Sequence, residues 1–173
     1  THISIVIPQR GINDEGKGKK HALYRLITAA QTEYVWMQDD DVALPSIEDA
    51  LKGYGLAIKD EDLVILPLRM ESEREKPSLL ERLQIAEYAA IQQLTIETAK
   101  RGHAVMCSGA NLIAKRDRWL ESYEDLHPEI ASGDDMFLLE SFKRRGLKIG
   151  VSESEKLTAI VRPHTSWRAF WQQ

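Results

Sequence analysis

The sequence holds a single cysteine, Cys107, which excludes an internal disulfide framework and fits a reducing compartment. No apolar run approaches the roughly 18 residues that a membrane-spanning helix needs. No secretory signal pattern is visible. Nor is there an excess of positive charge: 23 Lys and Arg stand against 27 Asp and Glu, a net charge of −4. The overall balance therefore offers a nucleic acid no electrostatic footprint, and none is expected as a partner. Internal repeats and low-complexity segments are also lacking. The composition is 43% hydrophobic and 29% charged over 173 residues. That suits one globular domain with a sizeable core, taken here as residues 1–173. The chain starts on the strand-like His2–Pro8 without an initiator Met, so a processed or excised piece of a longer chain is expected.

What the sequence does have is Tyr34-Val35-Trp36-Met37-Gln38 running into Asp39-Asp40-Asp41. An apolar run rich in β-branched and aromatic residues reads as a buried strand. The carboxylates then sit at its C-terminal end, where ligands bind in open α/β sheets. Three adjacent carboxylates repel one another unless a hard cation such as Mg²⁺ or Mn²⁺ sits among them. A solvated acidic turn would read the same way in isolation.

Upstream, Ile3–Ile7 reads as a strand closed by Pro8, and Gln9–Lys20 as a loop with Gly11, Gly16, Gly18 and Lys17, Lys19, Lys20. Apolar residues at helical spacing, Ala22, Leu23, Leu26, Ile27 and Ala30, place a helix over about 19–31. A Gly-Lys loop opening a helix can meet phosphate through backbone N–H groups and an ammonium. It is not a Walker A loop, because the G-x-x-x-x-G-K-[ST] pattern is absent. Solvated lysines would look the same, and at a helix start they oppose the dipole.

Downstream, Ser46 with Asp49 caps a helix to about Ala57, and Leu63–Leu66 is a strand ended by Pro67. Residues 70–77 read as a charged connection. Ser78 opens the longest helix, to about Lys100, whose stripe Leu79, Leu83, Ala86, Ala90 and Leu94 is expected to pack into the core. A missing neighbour or a membrane surface would suit the same stripe. Cys107–Asn111 is a small-residue turn before Leu112-Ile113-Ala114, allowing close backbone approach to a ligand. A short helix covers Asp117–Ser122.

Asp134 and Asp135 open a helix over 134–145 that Gly146 ends. Ser132 and Asp135 have capping-box spacing, so Asp135 reads either as a cap partner or as a general base held at a helix start. Leu147–Val151 and Leu157–Val161 are the last strands. In the aromatic tail, Thr165 is expected to cap a short helix, and His164 is a possible metal ligand. The abrupt end at Trp171-Gln172-Gln173 suggests truncation.

Four segments occur in order: Gly18-Lys19-Lys20-His21-Ala22-Leu23, then Asp39-Asp40-Asp41 with Pro45, then Ser108-Gly109-Ala110-Asn111, then Gly133-Asp134-Asp135. Together they resemble an inverting glycosyltransferase of family 2. Gln173 resembles the first residue of the Q-x-x-R-W motif of its membrane-associated members. The resemblance runs over nearly the whole chain from Gly16 on. It implies a three-layer α/β/α GT-A fold with a mixed, mostly parallel sheet, incomplete at the N-terminus. The family's first strand, helix and second strand, with a V-D-D-G-S-like segment, have no counterpart before Gly18, and the Arg and Trp of the tail motif are missing.

The resemblance also implies roles. Lys19, Asp39, Asp40, Gly109, Asp134 and Gln173 would serve the nucleotide-sugar site. Asp41, with Asp39, would hold the metal on the diphosphate. Asp135 would be the catalytic base. The implied partners are a nucleotide-sugar donor, most simply a UDP-sugar, and a glycan or lipid-linked acceptor. The parent chain would be membrane-anchored, with this part at the cytoplasmic face. Competing readings are a nucleotidyltransferase, a receiver-type phosphoacceptor domain, a non-catalytic binding module and a glycoside hydrolase. The first lacks its glycine-rich signature here, and the last would leave the Gly-Lys loop without a use.

Overall fold

The computed structural model describes residues 3–7, 18–44, 46–58, 60–130 and 132–171. Residues 9–17 of the expected loop, and Gln173, lie outside the described residues. The elements follow the chain as β1 (Ile3–Val6), α1 (Gly18–Ala29), β2 (Tyr34–Gln38), α2 (Ile47–Ala57), β3 (Leu63–Ile65), β4 (Leu68–Met70) and α3 (Leu79–Lys100). Then come β5 (Asn111–Lys115), α4 (Arg116–Glu121), a 3₁₀ turn (Tyr123–Leu126), α5 (Asp134–Arg144), β6 (Ile149–Val151), a second 3₁₀ turn (Glu155–Leu157), β7 (Ala159–Val161) and α6 (Trp167–Phe170).

The main sheet has the order β1-β2-β5-β3-β6. Strands β1 and β2 pair in parallel, as do β3 and β6, while β5 lies antiparallel between β2 and β3. The sheet is therefore mixed, with one reversed strand in the middle. Continuous burial fits this position, since every residue of β2 and β3 is buried. On one face, Val35, Met37, Leu63, Ile65, Leu112 and Ala114 pack with Leu23 and Ile27 of α1, Trp119 of α4 and Leu138, Leu139 and Phe142 of α5. On the other, Tyr34, Trp36, Val64, Leu66 and Ile113 pack with Ala50 of α2, Ile58 and Leu157. Helices thus cover both faces, as the three-layer expectation required. Burying side chains as large as Trp36 and Trp119 contributes about 1.5–3 kcal/mol each.

A second sheet pairs β4 and β7 in parallel, and Ala43 bridges Ile160 beside it. Residues 68–70, next to the expected charged connection, thus form a strand. The stripe on α3 is a correction: Leu79, Leu83, Ala86, Ala90 and Leu94 are all exposed. The helix instead turns Leu80, Glu81, Gln84, Gln92, Thr95 and Ala99 inward. Hydrogen bonding explains the inversion. Gln84 accepts from the His164 backbone N–H at 2.9 Å and donates to its carbonyl at 2.9 Å, while Gln92 Oε1 accepts from Leu68 N at 3.3 Å. These bonds dock the small sheet and the tail, so the buried face is polar. In the tail, Ser166 rather than Thr165 caps α6, its hydroxyl accepting from Ala169 N at 3.2 Å.

Candidate active site

The end of β2 turns sharply. Val42 N donates to Asp39 O at 3.3 Å, so the acidic triplet forms a tight turn rather than a stacked column. Asp39 is half-buried, whereas Asp40 and Asp41 are exposed. Because β5 is reversed, its start lies at the same end of the sheet, with Asn111 opposite Gln38. That places the small-residue turn Ser108–Ala110 beside the acidic turn.

Lys19, on the first turn of α1, closes the arrangement. Its Nζ lies 2.6 Å from Asp39 Oδ1 and 3.7 Å from Asp134 Oδ2. Burial alone would lower the Lys19 ammonium, but Asp134, Asp39 and Asp135 outweigh it and hold it above the usual lysine range. Gly109 sits at the meeting point. A Cβ there would come 3.5 Å from Asp134 Oδ2 and 3.7 Å from Lys19 Nζ. Lys19, Asp39, Gly109, Asp134 and Asp135 line one small pocket of about 10 Å³, walled by Leu23, Met37, Leu112, Trp119, Leu126 and Leu138.

Asp135 is not a cap partner. The N-cap of α5 is Gly133 at φ 78°, with no side-chain cap bond. Asp135 Oδ1 accepts from its neighbour Met136 N at 2.8 Å, and Oδ2 accepts from Gly109 N at 3.3 Å. The second bond joins α5 to the small-residue turn.

Three further residues contribute, Cys107 and Asn111 from the ends of the small-residue turn and Tyr88 from α3. Cys107 Sγ donates to the Asp135 carbonyl at 3.2 Å, and burial, with Asp135 and Asp134 nearby, pushes its thiol well above the usual range. It serves as an inert brace. Tyr88 on α3 has its hydroxyl pushed up to about 12 by burial and then by Asp39 and Asp41. Nothing in the sequence marks a mid-helix tyrosine as a neighbour of these acids. Asn111 accepts from Trp36 Nε1 at 2.8 Å and donates to Pro67 O and Leu157 O at 2.8 Å each. In the sequence it is the last residue of the Ser108-Gly109-Ala110-Asn111 segment and the first of a buried strand.

Among the described residues, no three His, Cys, Asp or Glu side chains stand together as a ready metal site, and His164 joins none. The contacts found for His164, a possible ligand by sequence, are its backbone bonds to Gln84. A Mg²⁺ or Mn²⁺ site completed by substrate phosphate asks less, one or two carboxylates. Asp39 and Asp41 flank one tight turn, with Asp39 Oδ1 held by Lys19 Nζ at 2.6 Å and Asp41 exposed.

Among solved structures, the chain is similar to glucosyl-3-phosphoglycerate synthase of Mycobacterium tuberculosis, solved with Mn²⁺, UDP-glucose and glycerol 3-phosphate. The identity is 20% and the TM-score 0.44, over 90% of this chain and 50% of that one. It is also similar to mannosyl-3-phosphoglycerate synthase of Rubrobacter xylanophilus, at 14% identity and TM-score 0.43, over 90% and 47%. A mycobacterial protein matches at 21% identity and TM-score 0.41, over 84% and 42%. The chain thus spans about half the length of the structures it matches. No curated protein gives a significant match. The model of the glycosyltransferase like family 2 matches residues 3–173, from the first strand through the acidic turn and the start of α5 to the tail, and the chain belongs to that family.

Proposed function

We propose that this domain transfers a sugar from a nucleotide-diphosphate sugar, with UDP as the nucleotide, to an acceptor hydroxyl with inversion. The observation that carries the reading is the convergence of Lys19, Asp39, Gly109, Asp134 and Asp135 on one cleft at the C-terminal end of β2. Asp41, assisted by Asp39, would hold Mg²⁺ or Mn²⁺ against the donor diphosphate. When bound, that cation would neutralise charge on the leaving diphosphate.

The chain's own residues supply the rest. Asp135 takes the proton of the acceptor hydroxyl as its oxygen attacks the anomeric carbon. The new C–O bond forms on the face opposite the diphosphate, and the bond to the diphosphate oxygen breaks with its electrons. The two backbone N–H bonds on Asp135 fix the orientation of its carboxylate, which supports a role in positioning as well as in proton transfer. Lys19 offsets the mutual repulsion of Asp39 and Asp134 and supplies positive charge beside the donor. Gly109 leaves room where a side chain would stand between donor and base. A glycan or lipid-linked acceptor, with the parent protein at a membrane, completes the reading.

Calorimetric titration of UDP into this chain, with Mn²⁺ and with EDTA, tests it. Mn²⁺-dependent binding that weakens at least tenfold in Asp41→Ala is expected. A wild-type chain that takes up no UDP with Mn²⁺ would overturn the donor assignment.

A further inference from the structure

Lys20 follows Lys19 on α1 but has a different environment. It is 2% exposed, and its ammonium makes no ion pair among the described residues. A charge taken out of water needs its donors satisfied. Lys20 Nζ donates to Leu126 O at 2.6 Å, His127 O at 3.0 Å and Ser132 O at 3.1 Å, and it lies 4.9 Å over the Phe137 ring. All three acceptors are main-chain carbonyls, Leu126 at the end of the 3₁₀ turn and His127 and Ser132 in the segment that links it to α5. The segment enters with His127 in the left-handed region at φ 52° and leaves through Gly133 at φ 78°. Both of its flanks reach the cleft, Leu126 at one end and Asp134 and Asp135 at the other.

We propose that Lys20 is a positioning residue for the transfer reaction. Through three carbonyls it fixes the segment over 127–133, and with it the place where Asp134 and Asp135 meet Lys19, Asp39 and Gly109. The proposal rests on the transferase reading of the cleft. Adjacent lysines on one helical turn then have separate roles. Lys19 engages the carboxylates, and Lys20 engages the backbone that carries two of them. Without the ammonium, the Leu126 and Ser132 carbonyls lose their donor and turn toward water, while His127 O keeps only the Ile130 N–H at 2.9 Å. The segment loosens, and Asp135 loses its fixed approach to the Gly109 N–H. The acidic turn after β2 has no bond to Lys20, so donor capture on that side is spared.

The test compares wild type, Lys20→Met and Lys20→Arg by amide hydrogen exchange and by Mn²⁺-dependent release of UDP from UDP-glucose. In Lys20→Met, exchange over 127–135 rises at least tenfold while β2 and β5 keep their protection. The maximal rate of UDP release falls at least tenfold, with KM for UDP-glucose within threefold. Lys20→Arg, which keeps a cationic donor, recovers part of both. Unchanged exchange over 127–135, or equal loss of protection in β2 and β5, would overturn the proposal. Should Lys20→Met fail to fold, Lys20→Arg decides: wild-type exchange over 127–135 together with a reduced maximal rate also overturns it. A wild-type chain that releases no UDP counts against the donor reading, and the exchange comparison then judges Lys20 alone.

Discussion

Helices α3 and α5 share with α2 a local starting pattern, a serine followed three residues later by an acid, and these two use it in opposite ways. At α3 the pattern closes on itself. Ser78 Oγ accepts from Glu81 N at 3.3 Å, and Glu81 Oε2 accepts from Ser78 N at 2.7 Å. Ser72 Oγ donates to Glu81 Oε1 at 2.9 Å as well. These bonds, Ser78's first among them, hold the Glu81 carboxyl below its ordinary range. At α5 the pattern stays open. Ser132 gives its carbonyl to Lys20, and its hydroxyl makes no cap bond to the helix. The start moves one residue on to Gly133, whose carbonyl accepts from Phe137 N at 3.0 Å. Asp135 takes no part in a capping box and accepts from Gly109 N instead. The same short motif stabilises one helix and leaves a carboxylate available for chemistry in the other. The two starts also differ in the serine's backbone, since only at α5 does a distant side chain, Lys20, bind the serine's carbonyl.

Four substitutions probe this contrast. The largest effect is expected for Asp135→Asn, which should lower turnover by about 10²–10⁴-fold, the span typical of a general base. UDP affinity in calorimetry should stay within a few-fold of wild type. Wild-type turnover in this variant would reduce Asp135 to a brace between α5 and the Gly109 turn. Next comes Gly133→Ala. A side chain at φ 78° is strained, and its Cβ would lie 3.2 Å from Phe137 Cε2. A loss of about 1–3 kcal/mol in chemical denaturation is expected. No loss would mean that α5 tolerates another start. The finest comparison pairs Ser78→Ala with Ser132→Ala. The first removes a working cap and should cost about 1 kcal/mol. The second removes a hydroxyl that caps nothing and should stay within about 0.5 kcal/mol. Equal costs in the two melts would erase the distinction between the helix starts.

Legibility in the sequence followed the range of the forces involved. Strands β2, β3 and β5 were readable because burial on both faces leaves near-continuous apolar runs. The starts of α2 and α3 were readable because Ser46 and Ser78 cap locally. The acidic turn, Gly109 and Asp134-Asp135 came from an ordered set of short motifs, and the fold brings them together with Lys19. The misses came from contacts between segments far apart in sequence. Leu79, Leu83 and Leu94 look like core residues by period alone, yet Gln84 and Gln92 face inward because the tail and β4 need their amides. Lys20 gives no local sign that its acceptors lie more than a hundred positions later. Tyr88 gives no sign that it stands by Asp39 and Asp41.

The reversed strand at the centre of the sheet also constrains how the molecule is made. Synthesis runs from the N-terminus, so β1 and β2 can pair as soon as both emerge. β3 cannot, because its sheet neighbours, β5 and β6, both lie downstream. At about 5–20 residues per second on the ribosome, Leu63-Val64-Ile65-Leu66 waits for seconds without the partners that will bury it. Until residue 115 is available, the nascent chain carries an apolar strand with both hydrogen-bonding edges open, which is the form most prone to pair with another chain. The strand that brings Gly109 to the acidic turn is therefore also the one whose arrival closes the first of those edges, with β6 closing the second.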